Sequence, residues 1–358
     1  MLSGFVAVLS AAAVSRPSYC VVMKLAQLAA CLLAAGAGAW IAPSAPRRLH
    51  AARAHVDDVV EALFVESSVV DPAQVAAACA EDVVWDDRCR RKPARGRRAV
   101  ERMLQGKFRR GGKLVVERVA EAGEGSRLAG FAWRREADDL PGVGGLRGVT
   151  LVECDENGDL KSVVESSEPL LKPGKLTADL FAKVCAGLPK ITTGTHAPRA
   201  VAGCGDLVEY IWREAYPAGA PPAVFAEHCG EGIIYEDLNY REPFLGKPAV
   251  EAMVEEYDLG GVEWILTRAT TGARSCAFTW QIKLKGEVAA DGVSFYDGYP
   301  VQYIRDIPSP LVKPAPLQFL AARLRPKLRV FRGRRAHWCY GDSEEGRPLE
   351  LACDVSYN

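Results

Sequence analysis

Several patterns are missing from this chain, and each absence closes a class of function. It has no Cys-x-x-Cys, no His-Glu-x-x-His and no Walker-type Gly-x-x-x-x-Gly-Lys loop, so zinc, redox-pair and P-loop chemistry lack their residues. Only 5 His are present, and His337 and Cys339 near the end lack further ligands at useful spacing. No metal site and no cofactor is inferred. Asn is scarce, and none of its positions forms an Asn-x-Ser/Thr sequon. Net charge is absent too: 45 basic residues match 45 acidic ones, which argues against a uniformly basic nucleic-acid binder. Acid is missing altogether before Asp57, while Arg16, Lys24, Arg47, Arg48 and Arg53 precede it. Without those five, 40 basic residues face 45 acidic ones, and the body of the chain is mildly acidic.

What is present is a globular composition, 49% hydrophobic and 25% charged over 358 residues, enough for about two domains. The first 55 residues read as an address rather than as fold. Met23-Lys24 opens a basic start, an apolar stretch runs from Leu25 to Leu33, and Ala37-Gly38-Ala39 has the small-residue form of a cleavage site. That stretch is short of the roughly 20 residues a membrane span needs, so residues 1–39 are expected to be a signal peptide, with Met23 an alternative true start, and the mature chain to carry no span. Residues 40–55 follow as an acid-free Ala/Pro/Arg segment beginning Trp40-Ile41-Ala42-Pro43. A signal peptide followed by such a segment resembles the bipartite presequences of red-lineage secondary plastids. The resemblance implies the plastid stroma; secretion is the alternative. Eleven Cys, nine of them beyond the leader, form an odd set that suits a reducing compartment better than a disulfide framework.

The body is one pattern written twice. VVWDD (83–87), Gly96, Ala99-Val100-Glu101 and Met103 recur as IIYED (233–237), Gly246, Ala249-Val250-Glu251 and Met253, every pair 150 residues apart. The offset then shrinks: Phe131-Ala132-Trp133 matches Phe278-Thr279-Trp280 at 147, and PLLKP (169–173) matches PLVKP (310–314) at 141. Periodicity predicts helices over 57–67, 72–80 and 96–107, then strands over 83–87, 113–121, 127–136, 147–155 and 159–168. The second unit repeats them as helices over 206–216, 221–229 and 246–257, and strands over 232–237, 262–270, 274–285, 291–297 and 301–307. Phe278, Trp280, Ile282 and Leu284 alternate with Thr279, Gln281 and Lys283, as in a half-buried antiparallel strand. Asn157-Gly158 reads as a hairpin turn rather than a calcium loop.

Helix, helix, strand, helix and four strands, with Trp-Asp-Asp or Tyr-Glu-Asp on the first strand and Gly before the third helix, resembles the NTF2-like superfamily and within it SnoaL-like proteins. The pattern YED…EPF-x-GK-x-AV at 235–250, FTW at 278–280 and PLVKP at 310–314 carries the likeness. It implies an α+β fold of two tandem cones, each a curved antiparallel or mixed sheet wrapped on about three helices. The units are 57–185 and 206–325, joined by a linker at 186–205 and followed by a tail at 326–358, and they are expected to pack as an intramolecular pseudo-dimer. Cones of this superfamily host isomerases, cyclases, hydrolases and pure binders, so the fold alone does not select a function.

Candidate chemistry lies on the first strand of each unit, where Trp85 and Asp87, and Tyr235 and Asp237, share a face. A ring can hold a planar ligand, and a carboxyl in apolar surroundings keeps its proton at a higher pH and can shuttle it. The plainer reading is that Asp87 and Asp237 end the strand by binding turn amides. In ketosteroid-isomerase-like relatives an Asp base works with a Tyr donor, which implies Asp237 with Tyr235 or Tyr303 as the catalytic set. Trp212, Phe278, Trp280, Phe295 and Arg305 are the ligand-binding candidates of the second cone, with Tyr296 and Asp306 beside them. Tyr303 and Arg305 share a strand face, and their counterparts Ser162 and Val164 leave the first unit without them. If either unit keeps a polar pocket, it is therefore expected to be the second, though an ordinary arginine–carboxylate pair is the plainer role for Arg305. Related cyclases place a His near the Asp. Strand 274–285 has Gln281 and no His, a departure from that chemistry.

One contrast separates the units. Residues 88–113 carry twelve basic side chains against Glu101 alone, whereas 238–263 carry two against six acidic ones. Arg90, Arg91, Lys92, Arg95, Arg97 and Arg98 form the centre of that run. They are a candidate face for an anionic partner, a docking surface for the other unit, or a solvated patch. Three functions stay open: a small apolar or planar ligand held in the second cone, a cofactor-free isomerase or cyclase there, and a scaffold that recruits an anionic partner. An enzyme requires Asp237 to face a pocket with no turn amide or salt bridge consuming it. A scaffold would have cones plugged by their own Trp and Phe side chains.

Overall fold

The computed structural model describes residues 56–310 apart from 67–68, 109–112, 124, 137–145, 170–171, 186–195 and 257–260. The expected leader (1–39 and 40–55), linker residues 186–195 and the tail (326–358) lie outside the described residues. Among the described residues no helix is long and apolar enough to cross a membrane.

The first unit opens with α1 (Val56–Val60), which runs on as a π-helical turn over Glu61–Val65. Helix α2 (Pro72–Ala77), strands β1 (Cys79–Asp87) and β2 (Ala94–Arg95), and helix α3 (Arg97–Lys107) follow. Strands β3 (Leu114–Ala120), β4 (Leu128–Arg135), β5 (Arg147–Cys154) and β6 (Leu160–Ser167) close the sheet, and α4 (Lys175–Cys185) comes after it. The second unit repeats the order. Helix α5 (Cys204–Glu209) also passes into a π-helical stretch, Tyr210–Ala215, and a 3-10 helix spans Pro222–His228. Then come β7 (Cys229–Asp237), β8 (Phe244–Leu245), α6 (Lys247–Glu255), β9 (Val262–Ala269), β10 (Ser275–Leu284), β11 (Glu287–Asp297) and β12 (Val301–Pro308).

Each unit is a six-stranded mixed sheet, ordered β2-β1-β6-β5-β4-β3 and β8-β7-β12-β11-β10-β9. Among the described residues only β1–β6 and β7–β12 pair in parallel; the other neighbours are antiparallel. The pairing register shifts at matching places, Val116/Arg118 and Thr279/Trp280, and such bulges curve a sheet. This is the expected α+β architecture of two cones. The two-residue strands β2 and β8 are too short to show a period, whereas helix α4, absent from the expected elements, does carry Leu176, Leu180, Phe181 and Val184 at helical spacing.

Local chemistry explains the helix starts. Asp71 caps α2 by accepting from the Ala73 amide at 2.9 Å, with Pro72 in the first turn. Gly96 and Gly246, which precede the third helix of each unit, have φ of 79° and 81°, where a side chain would be strained. Their amides donate to Val83 and Ile233 respectively, both at 2.8 Å, tying the helix start to the first strand.

Helices cover one face of each sheet, and the opposite faces pack together. Ala120, Ala132, Val149, Leu151 and Val164 of the first unit meet Leu238, Ala277, Val293, Phe295, Tyr303 and Ile307 of the second. The approach is close enough that a Cβ on Gly130 would lie 2.2 Å from the Ala277 Cβ. So β10 is not half-buried along its length: Thr279, on the face expected to meet solvent, is buried against the other unit. Cross-unit ion pairs join Arg88 to Asp291, Arg118 to Asp297, Arg147 to Glu236 and Arg274 to Glu121.

Arg305, only 3% exposed, sits within this interface. Its guanidinium donates to Glu236 and to Glu117, both at 2.8 Å, and to the Trp133 carbonyl at 3.1 Å. Tyr303 donates to Glu236 at 2.6 Å, and Arg147 reaches the same carboxylate at 2.5 Å. Despite the cost of its burial, the Glu236 carboxyl is held below its usual range, chiefly by Arg305 and Arg147. This corrects three of the second-cone expectations. Phe295, Tyr303 and Arg305 face the neighbouring sheet, because strand alternation puts odd-numbered residues of β11 and β12 on the interface side.

Arg305→Ala would take from the largely buried Glu236 its second cation beside Arg147 and open a hole in the contact, and is expected to cost about 3–5 kcal/mol in urea denaturation. Arg305→Met together with Glu236→Gln should recover part of that loss, since the space is refilled and the Glu236 charge is removed with its partner.

Candidate functional site: buried carboxyl pairs and a basic face

Each cone holds two carboxyls on adjacent parallel strands. In the second unit Asp237 on β7 and Asp306 on β12 are register partners. Asp237 is 6% exposed, and its Oδ1 accepts from the Asn239 amide at 2.8 Å, a strand-end turn contact. Asp306 accepts from Ser294 at 2.6 Å, Tyr235 at 3.2 Å and Trp280 at 3.3 Å. Burial pushes the Asp237 carboxyl up to about 8, and the neighbouring Asp306 pushes the same way, opposed by the Asn239 amide and Lys172. Asp306 is also raised by burial, against its bonds to Ser294, Tyr235 and Trp280. Neutral acid is the form this apolar site favours.

The rest of the second cone is filled with rings. Trp212 stacks on Trp280 at 5.6 Å between centroids and meets Phe278 at 5.8 Å and Trp264 at 5.4 Å edge-on. Phe278 in turn meets Tyr296 edge-on at 4.9 Å. Trp212, Phe278 and Trp280, expected to hold a ligand, are thus packed on one another, an arrangement worth having for its own buried area. Tyr235 is half-buried beside Phe244 at the edge of this cluster.

The first cone solves the same problem with a cation. Asp87 and Glu165 occupy the equivalent register positions, and Lys107 of α3 forms a buried ion pair with Glu165. Burial pushes the Lys107 ammonium down to about 8, with Asp87 opposing. Asp87 also accepts from the Cys89 amide at 3.0 Å, the same turn contact as in the second unit, and lies 3.7 Å from Arg90. Trp133 donates to Thr150 at 2.9 Å where Trp280 donates to Ser294 at 2.8 Å. The expectation that only the second cone is polar inside is therefore corrected: sequence reading missed Lys107 and Glu165. A signal existed, because Asp87/Asp237 and Glu165/Asp306 fall at the repeat's own offsets of 150 and 141 and mark a retained pair. Lys107 carried none, since it sits in a run of basic residues. Trp85, at the position of Tyr235, is buried with no acceptor for its Nε1 among the described residues.

The basic run divides into tied and unpaired members. Arg88 pairs with Asp86 and Asp291, Arg90 with Asp87, and Arg97 with Glu81 and Asp159. Arg91, Lys92, Arg95, Arg98 and Arg102 are exposed and have no carboxylate partner among the described residues. Arg95, Arg97, Arg98 and Arg102, with Glu81, line an open cleft of about 540 Å³. A second cleft of about 300 Å³ lies between Arg90, Lys92 and Arg102. No group of side chains among the described residues is arranged to hold a metal ion.

No family model matches this sequence, and no curated protein matches it. Solved structures do. A SnoaL-like family protein from Agrobacterium tumefaciens aligns at 18% identity over 31% of this chain and 92% of its own, with a TM-score of 0.25. A steroid delta-isomerase from Pseudomonas aeruginosa aligns at 16% identity over 28% and 69%, TM-score 0.24. A protein of unknown function with a cystatin-like fold from Methylobium petroleophilum aligns at 17% identity over 29% and 69%, TM-score 0.25. Strand order, the parallel pairing and helix placement are the same in the two halves of this chain, each an α+β cone. What either half binds has to be read from its own side chains.

A carboxyl with a raised pKa in the fold binds its proton where the unfolded chain has lost it. Stability gained this way is present below about pH 4 and drains away as pH rises towards 8. Asp237→Asn removes that titration. Its melting temperature should change less than the parent's between pH 5 and pH 8, with the variant gaining on the parent at the upper end by on the order of a few kcal/mol. Parallel melting curves for the two proteins would show the Asp237 titration to be absent.

Proposed function

We propose that this protein is a binding and assembly module whose working surface is the basic face of the first unit. The observation that carries this reading is the contrast between the two sites. In the second cone Asp237 has a turn amide and Asp306 for neighbours, and Trp212, Trp264, Trp280, Phe278 and Tyr296 are packed on one another. On the first unit, five exposed cations have no carboxylate partner among the described residues, and two clefts lie among them. Exposed arginine without a partner does little for folding and much for attracting an anion. On phosphocellulose the full chain should be retained at low salt. A variant carrying Arg91→Ser, Lys92→Ser and Arg95→Ser should elute at clearly lower salt, and co-elution of the two would sink the reading.

A second reading keeps the small ligand, or a cofactor-free isomerase or cyclase, in the second cone. It is favoured by Tyr235, a half-buried phenol bonded to a carboxyl with a raised pKa at the edge of the aromatic cluster. Native mass spectrometry of protein from its natural source separates the two. A stoichiometric small molecule that is lost on Trp280→Ala would move the function back into that cone.

The compartment is part of the proposal. A stromal address read from residues 1–55 accords with seven described cysteines that are all buried free thiols, four of which, Cys79, Cys154, Cys229 and Cys276, are pushed up to about 12 by burial. Thiols of that kind resist oxidation and disulfide exchange. Residues 1–55 fused to a fluorescent protein should direct it into a secondary plastid, whereas accumulation in the medium would make the leader an ordinary secretion signal.

A further inference from the structure

Building on the reading that the basic face is the working surface, we infer that this face is a site for a compact polyphosphorylated anion, one with several phosphoryl groups close together. Five features of the face converge on that class. The cations that line the clefts come from three successive elements, Lys92 from the turn after β1, Arg95 from β2, and Arg98 and Arg102 from α3. The linings of the two clefts meet at Ala99 and Arg102. Four of the five unpaired cations are arginines, whose planar fork suits phosphoryl oxygens in pairs.

The fourth feature is how little acid the clefts hold. Glu81, 92% exposed at its side chain, is the one carboxylate lining the larger cleft, against Arg95, Arg97, Arg98 and Arg102, and the lining of the smaller cleft has none. Positive charge gathered in so small a space suits a compact anion that carries several charges close together. The fifth is that neither cleft has an aromatic side chain in its lining, so there is no platform on which a nucleic-acid base would stack. Helix α3 also begins Arg97-Arg98 with no acid in its first turn, a charge arrangement opposed to the helix dipole. Helix α6 of the second unit likewise begins with a basic residue, Lys247, and has no acid in its first turn, but Pro248 stands where the first unit has Arg98.

The test is calorimetric titration of the full chain with inorganic tripolyphosphate, orthophosphate and sulfate at fixed ionic strength. Tripolyphosphate should bind one site, at least about tenfold more tightly than orthophosphate. The variant Arg95→Ala/Arg98→Ala/Arg102→Ala should weaken it about a hundredfold, with an unchanged circular-dichroism spectrum. The matching Arg→Lys variant, which keeps the charge and loses the fork, should fall between the two. Equal binding of tripolyphosphate and sulfate, or full binding by the lysine variant, would show a diffuse field and overturn the site. So would tight binding of a 20-base-pair RNA duplex or of phosphatidylglycerol vesicles where tripolyphosphate fails. In each of those cases phosphocellulose retention would persist, and the broader reading would survive. Loss of retention together with absent tripolyphosphate binding would remove both.

Discussion

The rest of this molecule depends on two sheets packed face to face. Each sheet must be apolar on both sides, one side for its helices and the other for its partner sheet, so every central strand has two buried faces with different demands. At the centre of the contact Glu236, Arg305, Arg147, Glu117 and Tyr303 form a matched cluster. A buried charge is tolerable only when paired, and here the partners come from both units. Strand β12 shows the consequence most sharply. Arg305 belongs to the contact between units, and Asp306, one residue on, belongs to the interior of the second cone. One step along a strand separates a structural ion pair from a buried acid.

The two cones have met one constraint in two ways. Each has a carboxyl pair at the meeting of its two parallel strands, and two adjacent buried carboxylates repel. The first cone brings in Lys107. The second surrounds Asp306 with Ser294, Tyr235 and Trp280 and favours the protonated acid at Asp237. The first unit thus holds an ion pair inside and a basic outer face, while the second favours a protonated acid at Asp237 and carries mostly acidic side chains over the equivalent segment. That division accords with a working surface on the first unit and a second unit that completes the shared core, since a filled aromatic cluster holds a shape well and leaves little space to change it.

Much of the architecture was legible because it is periodic and repeated. The alternation in β10, the Gly before each third helix and the collinear offsets between units located the strands and helices to within a few residues over most of their length. Strand parity correctly grouped Tyr235 with Asp237 and Tyr303 with Arg305. What parity could not say was which of the two faces looks into the cone. For β12 the polar face, with its Tyr and Arg, is the one pressed against the other unit, which reverses the usual inference that such residues line a pocket.

The sequence by itself determined the repeated pattern, the α+β class, the order of elements and the charge contrast between the units, because all of these are properties of local spacing and composition. Only the tertiary structure decided that Phe295, Tyr303 and Arg305 belong to the contact between sheets, that Lys107 reaches Glu165, and which members of the basic run remain unpaired. Those facts depend on residues far apart in the chain: Arg305 finds Glu117 188 positions away, and Arg88 finds Asp291 203 positions away. Spacing along a chain has no access to such meetings, since they are fixed by how two whole sheets are laid against each other.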